Sequence, residues 1–343
     1  MEVLDLIKTI APEAIKILEE RYLILRTILY NQPIGRRSLS DILGFKERAV
    51  RDQVVFLRNQ GLLKIDFMGM YITDEGIKTL ESLNPIYNHI KGIPELEVKL
   101  KKLLNIRKVS ILPGNSKDSG MVLRDMGKIT SKIIKNIINN GDIVGITGGS
   151  TMAAVAEEFV PDKIKRDVIF IPARGGLGRN VETQANSIAA TFAKKLGGTY
   201  RLLFVPDGLE KEALEYIIKN EDIKESLNLI DNMDMLIFGI GRADTMAKRR
   251  NLPPERVEEL ISRGAVAEAF GHYFDINGKE IWEYKTVGLS LNKFKKLNNV
   301  VAVAGGEEKA EAIIAIATLN ENMVLITDEA AARKILKLVD NAT

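Results

Sequence analysis

Gly148-Gly149-Ser150-Thr151 is the stretch of this chain whose residue types could hold an anion. Two glycines remove side chains where the backbone must turn tightly. Two hydroxyls follow at the start of a segment with Met152, Val155, Ala156 and Phe159 on one helical face. The preceding Ile143, Val144 and Ile146 form a short apolar run suited to a buried parallel strand. A strand, a glycine turn and a helix N-terminus together present unpaired N–H groups and the positive end of the helix dipole, which suits a phosphate. The stretch is not a Walker A loop, since no Lys follows the second Gly. Further cations stand near other glycine-rich stretches: Arg174 before Gly175-Gly176, Arg242 after Gly239-Ile240-Gly241, the pair Arg249 and Arg250, and Lys309 after Gly305-Gly306. Several cations around a helix N-terminus suit a phosphorylated metabolite. Arg242 has Asp244 within reach as an alternative partner, and one of Arg249 and Arg250 is expected to be solvated.

The elements that must position these groups are legible from residue 107 onward. Strands are expected at Lys108–Leu112, Ile143–Ile146, Val168–Ile171, Tyr200–Val205, Met235–Gly239, Asn299–Val303 and Met323–Ile326. Helices alternate with them at Val122–Ile138, after Ser150, at Val181–Leu196, 209–220, Pro253–Ser262, Glu307–Thr318 and Asp328–Leu338. That alternation predicts an α/β fold with a doubly wound parallel sheet. In such sheets ligands bind beyond the carboxyl ends of the strands, which is where the glycine-rich loops fall. Residues 268–289 read instead as an inserted hairpin around Asn277-Gly278.

The first 85 residues have another character. Ile15, Leu18, Tyr22, Leu25, Ile28 and Leu29 recur at helical spacing up to Tyr30, and Pro33 follows. A short helix over Arg37–Leu43 stops at Gly44, and a third over Lys46–Gln60 buries Val50, Val54 and Leu57. Leu62–Asp66 and Met70–Thr73 make a hairpin. This order predicts an N-terminal winged helix-turn-helix. Residues 36–64 carry seven basic and three acidic side chains, while the whole chain nets only +3, so the excess positive charge is confined to this segment. Phosphate backbones attract such a patch. Lys46, Arg48, Arg51 and Gln53 on the third helix, with Arg36 and Arg37 opening the second, are the candidate contacts to double-stranded DNA. The wing tip, Phe67-Met68-Gly69-Met70, is apolar where a groove-binding wing would be basic, which argues for packing on a neighbour. Pro85 and Pro94 bracket a break. Ile93, Leu96, Leu100 and Leu103 then form one amphipathic linker helix, suited to covering the next domain or to dimer contacts, with the first favoured. The expected division is a DNA-binding domain at 1–85, a linker at 86–106 and an effector domain at 107–343.

Composition removes several function classes. The chain has no Cys, so thiolate chemistry, disulfides and Cys-based zinc sites are excluded. Its two histidines, His89 and His272, leave no basis for a multi-His metal centre. No apolar run approaches the roughly 18 residues of a membrane span, and mean hydropathy is −0.02. A cytoplasmic protein without membrane partners is expected. An enzyme acting on sugar phosphates would need a positioned acid and base. His272 lies between aromatic residues in a strand, and Asp207, Asp244 and Glu268 are not paired by spacing, so no catalytic residue is assigned.

With a winged helix-turn-helix ahead of them, Thr-Gly-Gly-Ser-Thr-Met (147–152), Phe-Gly-Ile-Gly-Arg-Ala (238–243), Gly-His-Tyr-Phe-Asp (271–275) and Ala-Gly-Gly…Lys-Ala-Glu-Ala-Ile (304–313) resemble the SorC sugar-binding transcriptional regulators over about the whole chain. The resemblance implies a repressor of glycolytic genes that acts as a dimer or tetramer on operator DNA. It also implies an effector domain related to sugar-phosphate isomerases and deaminases, no cofactor, and fructose-1,6-bisphosphate as inducer. Carried onto this chain, it places Gly148, Gly149, Ser150 and Thr151 around one phosphate with Lys309 assisting. Arg174 would serve a second phosphate with Arg249 or Arg250 near, and Gln184 and Glu268 the sugar hydroxyls. The loop departs from the family's commoner Gly-Gly-Thr-Thr by one methyl at Ser150, which keeps the hydroxyl.

Overall fold

Residues 2–162, 166–176, 180–206, 208 and 211–340 are described in a computed structural model, and the chain divides into two compact units, Met1–Glu95 and Leu96–Thr343. In the first, α1 (Glu2–Ile10) and α2 (Pro12–Asn31) precede α3 (Arg36–Leu43), which ends at Gly44 in the left-handed conformation, and α4 (Glu47–Asn59). β1 (Leu63–Ile65) pairs antiparallel with β2 (Met70–Ile72), Leu63 opposite Ile72. Leu25, Ile28, Leu39, Val50, Val54, Leu57, Leu63 and Met70 form one core. The arrangement is the winged helix-turn-helix that the periodicity predicts, with α4 as its third helix.

Pro85 does not end this unit. α5 runs Asp74–Ile90 with Pro85 inside it, opened by Thr73, whose Oγ1 accepts the Gly76 N–H at 3.0 Å. Tertiary packing overrides the breaker: Tyr22 stacks on Tyr87 with ring centroids 4.0 Å apart, and the Tyr22 hydroxyl donates to Asn84 Oδ1 at 2.9 Å. His89 sits on this helix, its Nδ1 2.8 Å from the Pro85 carbonyl. The amphipathic helix that follows is α6 (Ile93–Leu104). Its buried face is Ile93, Leu96, Leu100 and Leu104, whereas Leu103 is partly exposed, so the spacing is 3-4-4 and the expected Leu103 is replaced by its neighbour.

The second unit adds β3 (Lys108–Leu112), α7 (Gly120–Ile137), β4 (Ile143–Ile146), α8 (Ser150–Glu158), β5 (Ile169–Pro172), α9 (Ala185–Leu196), β6 (Thr199–Tyr200), α10 (Lys211–Ile217), α11 (Glu221–Asp231) and β7 (Met235–Gly239). Then come β8 (Gly241–Arg242), α12 (Ala243–Arg249), α13 (Pro254–Ser262), β9 (Ala267–Ala269), β10 (His272–Phe274), β11 (Glu280–Glu283), α14 (Leu291–Lys296), β12 (Asn299–Val303), α15 (Ala310–Ala317), β13 (Met323–Asp328) and α16 (Glu329–Asp340). Seven parallel strands lie in the order β3-β13-β12-β7-β4-β5-β6. β4, β5 and β6 run outward on one side and β7, β12 and β13 on the other, so the order reverses between β4 and β7. This is the crevice where an open α/β sheet binds ligands. Alternation assigns the faces: Val144, Ile146, Ile237, Val301 and Ile326 share a core with Met126, Val155 and Phe192 of α7, α8 and α9. Phe238 instead meets Phe294 of α14 edge-on at 5.5 Å.

Three expectations change. The strand over Tyr200–Val205 shrinks to β6, because the Asn186 side chain takes both backbone bonds of Leu203, at 3.0 and 3.1 Å, in place of a ladder. The inserted hairpin is one part of a four-stranded antiparallel sheet, β11-β10-β9-β8. The short helices α11, α12 and α14 are additions. Asp207, weighed above as a base, lies outside the described residues.

Candidate functional site

The switch-point crevice opens into a cavity of about 380 Å³ lined by the Thr147–Met152 loop, Arg174, the Gly239–Arg242 loop, Arg249, Glu268, Phe270 and Lys309. The sequence scatters these groups over more than 160 positions; the ends of β4, β5, β7, β9 and β12 bring them together. Gly149 takes φ 120, which favours glycine, as the N-cap of α8. At Gly148 a Cβ would lie 2.7 Å from the Thr183 carbonyl, so a side chain has no room there. Gly149 N–H donates to the same carbonyl at 2.9 Å. The amides of the next residues begin α8 and have no acceptor four residues back, which aims donors into the cavity. Thr147 is fixed by accepting the Gly239 N–H on Oγ1 at 3.2 Å.

Lys309, in the segment that follows β12, donates Nζ to Thr151 Oγ1 at 3.3 Å. Burial pushes its ammonium below the usual lysine range, opposed by Glu308 and Asp328. Asp328 is fully buried and holds the adjoining loops. Its Oδ2 accepts from Gly306 N at 2.7 Å and Ser116 N at 2.8 Å, and its Oδ1 from Ala331 N at 2.9 Å. Lys117, beside Ser116, lines the cavity as well. Sequence reading missed both; the run Asn115–Ser119 after Pro113-Gly114 was the available signal.

Arg174 and Arg249 also line the cavity. Arg249 donates to Thr183 Oγ1 at 3.2 Å. Arg250 is not a lining residue. Its side chain is fully buried, donating to Glu268 Oε1 at 2.7 Å and to the Tyr273 hydroxyl at 3.0 Å. Of the two, Arg249 lines the cavity and Arg250 does not, because helix α12 turns Arg250 into the core. Glu268 borders the cavity but is already committed. Its Oε1 accepts from Arg250, from Arg174 at 3.3 Å and from Gly271 N at 2.7 Å. Burial alone would raise this carboxyl, but the two guanidiniums hold it below the usual carboxylate range. The same burial raises the Tyr273 phenol. Gln184 does not line the cavity; its Oε1 would stand 3.1 Å from a Cβ at Gly176. Arg242 is paired with Asp244, at 3.0 and 2.7 Å; burial opposes and Arg242 enforces the lowered Asp244 carboxyl. Phe270 takes φ 55, a left-handed backbone rare for an aromatic residue, with its carbonyl bonded by Thr286 Oγ1 at 3.2 Å.

In the first unit Arg36, Arg37, Lys46, Arg48 and Arg51 are all exposed. Lys46 is the N-cap of α4 without a side-chain cap bond, as its position implies. Gln53 differs from the expected base contact: its Oε1 accepts from Arg21 Nε at 2.8 Å, and Arg21 lies 3.6 Å over the Phe56 ring. It thus ties α4 to α2. His272 pairs with Glu280 at 2.9 Å, outside the cavity lining.

The Sugar-bind family of sugar-binding domains matches residues 88–337, and the CggR N-terminal DNA binding domain matches residues 17–87. The chain is 43% identical to the central glycolytic genes regulator of Bacillus subtilis over 96% of this chain and 97% of the relative. A SorC family transcriptional regulator of known structure from Enterococcus faecalis is 38% identical, with TM-score 0.67 over 71% of this chain and 99% of the other. The chain belongs to the SorC family of sugar-binding transcriptional regulators. The SorC relatives are named as regulators of transcription and not as enzymes. The full-length sorbitol operon regulator SorC of Klebsiella pneumoniae, 19% identical, shares the fold with TM-score 0.64 over 93% of this chain and 99% of the other. As a SorC regulator the chain has a DNA-binding domain and a sugar-binding domain. No helix among the described residues is long and apolar enough to cross a membrane.

Proposed function

We propose that this chain is a cytoplasmic repressor of glycolytic genes whose hold on operator DNA is set by a phosphorylated sugar, fructose-1,6-bisphosphate. The reading draws the gene class from the relatives of Bacillus subtilis and Priestia megaterium, 43% and 42% identical and each named a central glycolytic genes regulator. The observation that carries the effector is that two sets of cationic groups line one cavity: the α8 N-terminus with Lys309, and Arg174 with Arg249. One sugar bearing a phosphate at each end matches two such groups, with Gly148–Thr151 and Lys309 taking one phosphate and Arg174 and Arg249 the other. The effector then shifts DNA affinity only by its preference for one of two states, with a coupling of about 1–3 kcal/mol typical. A homo-oligomer on DNA belongs to the same proposal. Isothermal titration of the full chain with fructose-1,6-bisphosphate and with fructose-6-phosphate tests it. Tight binding of the bisphosphate alone is expected; equal binding of both would remove the second phosphate site, and binding of neither would remove the effector.

A further inference from the structure

The β1–β2 hairpin turns through Asp66-Phe67-Met68-Gly69, and its tip is apolar and uncovered. Phe67 is 95% exposed, Met68 60% and Ile65 42%. The turn that carries this ring is closed by its own hydrogen bonds. Asp66 Oδ1 accepts the N–H groups of Met68 and Gly69, at 2.8 and 3.2 Å, and Asp66 N donates to the Gly69 carbonyl at 3.0 Å. Gly69 adopts φ 146, and a Cβ there would lie 2.9 Å from the Ile34 carbonyl, so the turn is seated directly on the α2–α3 connection. Met70 N donates to that same carbonyl at 2.9 Å. The tip is preorganised, and little ordering entropy remains to oppose an insertion.

The exposed apolar surface amounts to one ring, one methionine and part of an isoleucine. An aromatic residue buries about 150–250 Å², whereas a stable protein interface takes about 800 Å² from each partner. The tip is too small to carry a dimer by itself. A wedge into DNA needs only one ring: apolar side chains inserted between base steps from the minor groove unstack them and bend the duplex. The hairpin also belongs to the domain matched as DNA-binding, next in sequence to the helices that display Arg36, Arg37, Lys46, Arg48 and Arg51, and it bears an exposed Lys64 of its own.

We infer that Phe67, backed by Met68, is an apolar wedge that enters the minor groove of the operator and opens one base step. This rests on the DNA-binding role of the first unit and replaces the basic contact of an ordinary wing. It adds a specificity the cations lack, since flexible pyrimidine–purine steps yield to a wedge more readily than stiff ones.

The test uses the full chain and a duplex selected from a randomised pool by the wild-type protein, with 2-aminopurine placed at successive steps across the site. Phe67→Ala and Phe67→Ser are expected to lower affinity about tenfold and to abolish a fluorescence rise that wild type produces at one step. Phe67→Trp is expected to keep both, and the sedimentation of the free protein is expected to stay unchanged in every variant. Wild-type affinity for Phe67→Ala beside a loss for Arg51→Ala would overturn the wedge and leave the DNA-binding face standing. Wild-type affinity for both would overturn that face as well. A lighter assembly on Phe67→Ala would assign the tip to a second copy of the chain instead.

Discussion

The two units use cations in opposite ways. In the first, Arg36, Arg37, Lys46, Arg48 and Arg51 stand exposed on short helices. In the second, Arg174 and Arg250 are buried against the shared carboxylate of Glu268, and half-buried Lys309 is bonded to Thr151. Exposed charges suit a polyanion, whose many phosphates are met one by one at high dielectric and whose binding is governed by salt. Buried charges suit a small anion that must be recognised by position, and they need a counter-charge while the site is empty. On the proposed reading, cations give broad attraction in the first unit; in the second, Arg174, Arg249 and Lys309 line the cavity, while Arg250 lies outside its lining and holds Glu268.

The strongest way to break this contrast is Glu268→Gln. It would leave two buried guanidiniums without their carboxylate, and a loss of about 3–5 kcal/mol is expected from breaking a buried pair by removing one partner. Equilibrium unfolding of the full chain reads it; an unchanged midpoint would mean that Glu268 does not hold the arginines. The pH dependence follows the same logic. The carboxyl titrates lower folded than unfolded, so its stabilisation is complete above about pH 4.5 and fades as pH falls through the folded value.

A crossed pair of substitutions sharpens the contrast. Lys309→Ala is expected to weaken phosphosugar binding by about 1.5–3 kcal/mol, the range for a hydrogen bond to a charged group, with effector-free DNA affinity retained. Arg51→Ala should do the reverse: binding of the effector stays normal, DNA affinity falls, and the slope of log affinity against log salt drops by about one. Titration calorimetry and anisotropy at several salt concentrations check both. Crossed effects in either variant would show that the two sets of cations do not act separately.

The smallest expected effect is a proton count. Burial lowers the Lys309 ammonium, and a bound phosphate would favour the charged form and raise it again. Binding should therefore take up a fraction of a proton at alkaline pH, between the free and bound values, and none from Lys309 well below the free value. Calorimetry in buffers of different ionisation enthalpy measures it. Proton release in that window would contradict a phosphate at Lys309.

What the sequence disclosed follows from where information is local. Strand β4, its glycines and the α8 face are contiguous, so the strand, glycine turn and helix are legible, as is the helix order before the wing. Arg249 and Arg250 are adjacent and chemically identical; only the turn of α12 sends one to the cavity and the other to Glu268, so neither spacing nor composition could separate them. Gln53 looked like a base reader because its partner, Arg21, lies 32 positions away. The Pro85 break failed for a similar reason: the Tyr22–Tyr87 stack that sustains α5 is a long-range contact.

Phe270 has a consequence for how the chain can drift. Its backbone, at φ 55, favours Gly, Asn or Asp. Its ring, with centroids 5.4 Å from Phe238 and 4.9 Å from Phe294, requires an aromatic side chain. No residue satisfies both demands better than the one present, since each relief of the backbone empties the aromatic cluster behind the cavity. Position 270 is therefore expected to change only together with its two aromatic neighbours, a set of three that moves through sequence space as one.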